Sequence, residues 1–343
     1  MALEGFKLIY DFGDPTAEAM TCRTDCALFD FSFLESARLT GNRAGDLIEL
    51  FTGRSTATLG ENEIFYALRV DSAGGINADW TVWRTGEESF DVMSGRREDI
   101  LDLLSCSGSG VTVVDITTDR ATFAVQGPRA LDVLRKLGDV GRIESLKYYA
   151  FDRACLDRIP CTIGRLGYTG EPGFEIIVGR EQARDLWDVL SSHVAVAGFI
   201  AADMLRIEAG FVLFSNEFRL PVSPFEAGLG KFSRPIDPPK PAAIKLVSFL
   251  ADADRQSWPW RPSQDLQRPS TLGAVAVTSA CQSVVAGGIL GLGYVLAETS
   301  PNTVLHDEAG TFRNIRLTPR PFYDPAKRRP RGPWLQSGGR QLR

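Results

Sequence analysis

Gly167-Tyr168-Thr169-Gly170-Glu171-Pro172-Gly173-Phe174-Glu175-Ile176 sets three glycines around one tyrosine and two acids, then runs into the apolar Ile176-Ile177-Val178. Glycine lets a backbone turn sharply or approach a neighbour closely. The stretch therefore reads as a tight loop feeding a strand, with Glu175 at the strand's start, where it can be aimed into a pocket. About thirty residues on stands Leu205-Arg206-Ile207-Glu208-Ala209-Gly210, a helical stretch whose glycine marks the helix end.

The surroundings are those of an ordinary globular chain. Its 343 residues suffice for two or three domains. A hydrophobic content of 44% and a charged content of 24% match a chain with packed cores. The net charge of -5 implies no general affinity for nucleic acid. No apolar run reaches the length of a membrane span, and Met1 to Gly13 lacks the layout of a secretory signal. The expected location is the bacterial cytoplasm, with no nucleic acid and no membrane as partner. The two histidines, His193 and His306, are too few for a triad hydrolase or a histidine-rich metal site. The six cysteines form no Cys-x-x-Cys pair and read as reduced, mostly buried thiols.

Strand and helix signals alternate. Phe65–Val70 and Trp80–Arg84 flank the turn Asp71-Ser72-Ala73-Gly74-Gly75 as a hairpin, and Ser89–Met93 extends that sheet. A helix is expected at 42–51 with Asn42 as a cap, and another at 98–104. The order strand, turn, helix recurs at Ala121–Val125, Gln126-Gly127-Pro128 and Arg129–Leu134, which points to a duplicated α+β unit. No Gly-Lys-Ser/Thr follows Gly127-Pro128, so a phosphate loop is disfavoured. The proline cluster from Ser233 to Pro241 reads as a linker. Beyond it, short strands at 274–278, 291–296 and 311–317 suggest a small barrel or sandwich. The end, from Asp324 to Arg343, is basic and rich in proline and glycine, and reads as an extended or partly disordered arm.

Within Gly74-Gly75-Ile76-Asn77-Ala78-Asp79-Trp80, a lone aspartate after a glycine turn is most simply a turn or strand-start acid. Tyr66 on the preceding strand is by itself a packing residue. Taken together, however, these segments resemble the folate-binding aminomethyltransferase family, the family of the glycine cleavage T-protein. The similarity runs from about Cys22 to Gly230 and continues more weakly through Val277-Thr278-Ser279 and Gly293-Tyr294-Val295.

The resemblance implies an α+β, multi-domain cloverleaf of antiparallel sheets and helices with a small C-terminal β-barrel, around a central folate channel. The expected division is 1–235, a folate-binding region of two intertwined α+β domains; 236–325, the barrel; and 326–343, the basic tail. The implied cofactor is tetrahydrofolate, and the implied reaction is transfer of a methyl or methylene group to its N5.

Site roles follow from the same resemblance. Asp79 is the catalytic acid, placed to stabilise positive charge on a reacting amine or to shuttle a proton. Glu175 accepts two bonds from the pterin edge, Tyr168 is a wall or hydrogen-bond partner, and Tyr66 lies near the folate. Arg206 holds Glu175 or reaches a ligand oxygen, or else forms a structural pair with Glu208. Glu226-Ala227-Gly228-Leu229-Gly230 is a turn lining the site.

The implied partners are a small methyl or aminomethyl donor and, for an aminomethyl donor, a lipoyl carrier protein. The chain lacks the family's Gly-Trp-x-Met-Pro opening, and Phe29-Asp30-Phe31-Ser32-Phe33-Leu34 lacks its histidine. A tetrahydrofolate-dependent demethylase of N-, O- or S-methyl compounds therefore stands beside the aminomethyltransferase reading. A non-catalytic folate-binding accessory protein and a non-catalytic subunit are the further alternatives. Accessory relatives in iron–sulfur maintenance carry a reactive cysteine where Arg165-Leu166-Gly167-Tyr168 stands here.

Overall fold

The computed structural model describes residues 8–233, 241–253 and 260–334. Most of the expected linker, residues 234–240, and the last nine residues of the basic tail lie outside the described residues. The chain forms three sheets with helices packed against them, an α+β fold.

The first sheet runs, in spatial order, Ile64–Val70, Ile76–Gly86, Ser89–Ser94, Glu35–Thr40 and Thr112–Asp115. The second runs Ala195–Val196, Ala27–Asp30, Arg120–Gln126, Gly173–Gly179, Ile159–Gly164 and Phe151–Leu156. In each, a leading strand is followed by a glycine turn, a helix and a three-stranded meander whose last strand returns to pair antiparallel with the leader. The duplication reaches the backbone itself. Gly41 and Gly127 have φ of 115° and 137°, a region that disfavours side chains. Ala44 N–H donates to Gly41 O at 2.9 Å, and Ala130 N–H to Gly127 O at 3.0 Å. The residue that opens each helix is Arg43 in one unit and Arg129 in the other. The expected Asn42 cap is therefore displaced by one residue, because the Arg43 N–H is held by Gly110 O at 3.0 Å.

The amphipathic stripe of Ala130–Leu137 buries Ala130, Leu131, Val133 and Leu134, the i, i+3, i+4 pattern of a helix lying on a sheet. With Phe123, Phe174 and Ile176 they form the core of the second unit. The third sheet runs His306–Asp307, Ala274–Ser283, Gly288–Leu296, Ile244–Asp252 and Arg313–Thr318. Its strand Ile244–Asp252 was absent from the sequence reading, since Lys245 and Ser248 interrupt its apolar run. The helix Phe199–Glu208 packs against this third sheet and shares one core with it and with the helix Pro15–Thr24.

The segment from Arg320 to Trp334 corrects the expectation of a loose arm. It wraps back as a strap. Tyr323 Oη donates to Glu171 at 2.6 Å, and Arg329 Nε donates to the same carboxylate at 2.9 Å. The Trp334 ring stacks on Phe174, centroids 4.7 Å apart. Composition made the strap look disordered, but contacts distant in sequence hold it.

Candidate functional site

The glycine-rich stretch is organised by a residue the sequence reading passed over. Gln126, fully buried at the end of its strand, donates through Nε2 to Leu166 O at 3.1 Å and Phe174 O at 3.2 Å. Its Oε1 accepts from Thr169 Oγ1 at 3.0 Å. A Cβ on Gly167 or Gly173 would collide with the Gln126 amide. The loop thus folds around that amide, which fixes Tyr168 and the start of the Glu175 strand. Only tertiary pairing reveals this, because Gln126 lies in a strand of its own.

Glu175 is 8% exposed. Its backbone pairs with Ala124 and Gly164 on the neighbouring strands, but its carboxylate has no partner among the described residues. Burial alone pushes its carboxyl up to about 7. The strand register places Tyr66 opposite Thr81 and Leu68 opposite Asp79, so Tyr66 and Asp79 are diagonal neighbours on one sheet face. Tyr66 Oη donates to Asp79 Oδ2 at 3.0 Å. Asp79 lies inside the strand rather than opening it. The Asp71–Gly75 turn closes early, and Ile76 N–H already bonds Val222 O at 2.8 Å. Burial raises the Asp79 carboxyl to about 6, the Tyr66 hydrogen bond opposes the rise, Asp99 adds to it and Arg96 opposes it.

Tyr168 donates to Val212 O at 2.6 Å, and its ring stacks on Phe211. Burial pushes both Tyr66 and Tyr168 above the usual phenol range, and the Asp79 charge acts on each. Tyr149, also missed from sequence, acts electrostatically on Tyr66 and is acted on by Glu175. Its backbone sits at φ 68°, and its ring meets Tyr148 edge-on at 4.8 Å. The turn Glu226–Gly230 leads to Phe232, whose ring meets Tyr66 edge-on at 5.1 Å. Asp79, Tyr66, Tyr149 and Tyr168 thus form one electrostatic neighbourhood, with Glu175 linked through Tyr149.

Arg206 belongs to a different kind of environment. It is fully buried, and its donors reach Asp203 at 2.8 Å, Glu217 at 2.9 Å, Phe211 O at 3.1 Å and Ser279 Oγ at 2.7 Å. Neither Glu175 nor Glu208 is among these partners. Glu208 instead takes Arg23 at 2.7 Å, and the same Arg23 reaches Glu171 at 3.0 Å. The charge of Arg206 still acts on Tyr168. A cleft of about 200 Å³ lies elsewhere, lined by aromatic rings such as Phe12, Phe29 and Trp187 together with Asp30 and Arg180, and none of the five candidate residues lines it. Among the described residues no cluster of side chains suits a metal ion, and no helix is long and apolar enough to cross a membrane.

The model of the GCVT N-terminal domain family matches residues 9–234. An aminomethyltransferase of Clostridium botulinum is 32% identical over 238 residues, covering 66% of this chain and 64% of its own. One from Streptomyces coelicolor is 33% identical over 237 residues, covering 66% and 63%. The chain thus aligns with less than two thirds of the length of these relatives. The crystal structure of the glycine cleavage system aminomethyltransferase T from Bartonella henselae superposes with a TM-score of 0.77 at 24% identity, over 94% of each chain. The fold is therefore shared well beyond the stretch where the sequences align.

Proposed function

The chain belongs to the folate-binding aminomethyltransferase family, that of the GCVT N-terminal domain, and from that premise we propose that it is an enzyme moving a one-carbon unit from a donor to tetrahydrofolate. The observation that carries this reading is Glu175, a buried carboxylate without a partner among the described residues. A buried carboxylate left alone is costly. The edge of a reduced pterin, with an exocyclic amine beside a ring N–H, presents the two parallel donors such a group lacks. Tyr168 and Tyr66 would supply ring faces and phenol contacts. Arg206 would act by holding the helix end and Phe211 behind Tyr168.

Tetrahydrofolate, when bound, supplies N5 as the acceptor of the one-carbon unit. Asp79 is the group we assign to the donor. With its carboxyl raised to about 6, it is mostly ionised at neutral pH yet able to hold a proton on Oδ during turnover. Tyr66 orients it by donating to Oδ2. The finer choice is between an aminomethyl group on a lipoyl carrier protein and a small N-, O- or S-methyl compound. Phe33, standing where the family has its histidine, supports the small compound. A cytoplasmic setting fits either donor.

Titration of the protein with tetrahydrofolate, followed by pterin fluorescence, tests binding. A screen of methylated amines, ethers and thioethers for 5-methyl- or 5,10-methylene-tetrahydrofolate tests transfer. Binding without any product from these donors or from an aminomethyl-lipoyl carrier would reassign the chain to a non-catalytic folate-binding role. Absence of binding would end the reading.

A further inference from the structure

The strand that carries Asp79 is held on one edge only where the acid sits. Its register with Ile64–Val70 slips between Arg69 and Val70, which makes Asn77 the extra residue of a β-bulge. On the other edge the last pair with Ser89–Ser94 is Trp80 with Ser94, so residues 76–79 run past the end of that ladder. Asp79 has Leu68 as its one register partner among the described residues. A bulge re-aims the side chains beside it, and a stretch with a free edge opens at low cost unless another group closes it.

Arg96 closes it. It stands just before the helix Arg97–Ser105 in extended backbone. Its guanidinium donates through Nη1 to Asn77 O, two residues before Asp79. Its main-chain N–H donates to Ser94 Oγ at 3.1 Å, and that hydroxyl donates to the buried Asp99 at 2.6 Å. Ser94 is the register partner of Trp80, the residue after Asp79. Arg96 thus brackets Asp79 from both sides along the chain. Asp99 and Glu98 lie 3.7 and 3.6 Å from the same guanidinium. Its face covers the Phe214 ring, 4.5 Å to the centroid. Phe214 opens the short helix Phe214–Glu217, two residues beyond Val212, whose carbonyl accepts from Tyr168 Oη.

We propose that Arg96 is a positioning residue for the reaction: it pins the bulged stretch 76–79 so that Asp79 keeps its place, and it ties that stretch to the segment that holds Tyr168. This rests on the one-carbon transferase reading and adds to it a residue that acts through Asp79. A guanidinium suits the task because its planar fork can donate to a carbonyl while its face lies on a ring.

Two measurements on the full chain test the pinning. Hydrogen exchange of the ligand-free protein, read on peptides covering 76–80, needs no substrate. Steady-state turnover with tetrahydrofolate and the donor found by the screen gives kcat and KM separately. The variants are Arg96→Met, Arg96→Lys and Phe214→Leu, each checked by thermal melting. Phe214→Leu takes away only the ring under the guanidinium and keeps the test open if Arg96→Met fails to fold.

Arg96→Met is expected to speed exchange at 76–80 by roughly tenfold while Glu35–Thr40 stays as protected as in wild type. It is expected to lower kcat by roughly tenfold or more, the cost of a misplaced reacting group, with KM for tetrahydrofolate unchanged. Arg96→Lys is expected to recover part of both, and Phe214→Leu to show both at about a third of the size. Wild-type exchange at 76–80 in Arg96→Met, or in Phe214→Leu if the first does not fold, would overturn the proposal. Faster exchange across the whole sheet with a lowered melting temperature would make Arg96 a general stability residue and overturn it equally. Absence of transfer by wild type from any donor would sink the transferase reading instead, and exchange alone would then decide the pinning.

Discussion

Two groups of buried acids in this molecule share a residue type and differ in company. Glu171, Glu208, Glu217 and Asp203 surround Arg23 and Arg206, and each has a guanidinium within 3.0 Å. Among the described residues, Glu175 and Asp79 have no cation in contact, Glu175 has no side-chain partner, and Asp79 has one phenol. The first group closes on itself and joins the helices at 15–24 and 199–208, the glycine loop and the strap into one knot. The second, on the proposed reading, is left for a ligand. On that reading burial is a poor guide to function in this chain, and the presence or absence of a counter-ion is a better one.

The sharpest way to break this contrast is to remove a cation from the knot. Arg206→Met leaves Glu217 and Asp203 buried without their counter-ion, and a stability loss of about 3–5 kcal/mol is expected in urea denaturation. A loss under about 1 kcal/mol would show that the knot is not what holds the helix end. On the open side the signature reverses. Asp79→Asn is expected to keep stability and pterin binding while lowering turnover by roughly 10²–10³-fold, the range of a lost general acid–base group. Turnover within a few-fold of wild type would remove Asp79 from the chemistry.

Glu175 sharpens the contrast because it couples stability to pH. Its ordinary carboxyl titrates near 4.5 but in the fold is held up to about 7. Between those values the folded state binds more protons than the unfolded one, so the stability of the ligand-free protein falls as pH rises from about 4.5 to about 7. The loss is on the order of 3 kcal/mol at most. Glu175→Gln is expected to flatten that slope and to weaken tetrahydrofolate by about 1.5–3 kcal/mol, a charged hydrogen-bond contact. Binding should favour the ionised carboxylate. Titrations of wild type at pH 6 in buffers of different ionisation heat are therefore expected to register release of a proton, and Glu175→Gln to abolish it. Proton uptake on binding would contradict the carboxylate–pterin contact.

The sequence made the open group legible and the closed group nearly invisible. Asp79 and Glu175 follow glycine turns and open or occupy strands, features that local pattern records. The hairpin of 65–84 and the glycine turn at 127 were readable for the same reason: short-range backbone geometry writes itself into residue type. Arg23 gave no signal, because its partners lie 148 and 185 residues away and no periodicity encodes such a pair. Arg206 was singled out, but its partners were misjudged, since Glu208 is near in sequence while Glu217 and Ser279 are the ones the packing delivers. The strap misled most. Its proline, glycine and basic residues are those of a solvated tail, yet Tyr323, Arg329 and Trp334 find fixed places on Glu171 and Phe174.

The smallest expected effect probes the one contact that keeps Asp79 from being wholly alone. Tyr66 donates to its Oδ2 and thereby favours the ionised form against burial. Tyr66→Phe keeps the ring against Phe232 and removes only that donor. The carboxyl is then expected to rise above about 6, moving the acid limb of the turnover–pH profile upward by roughly one unit, with the plateau rate at alkaline pH changed by only a few-fold. A shift of this sign places Tyr66 as a positioning residue acting through Asp79. An unmoved acid limb with a lowered plateau would mean instead that the phenol meets the ligand directly. In that case Asp79 stands as unaccompanied as Glu175, and the two open acids become one class.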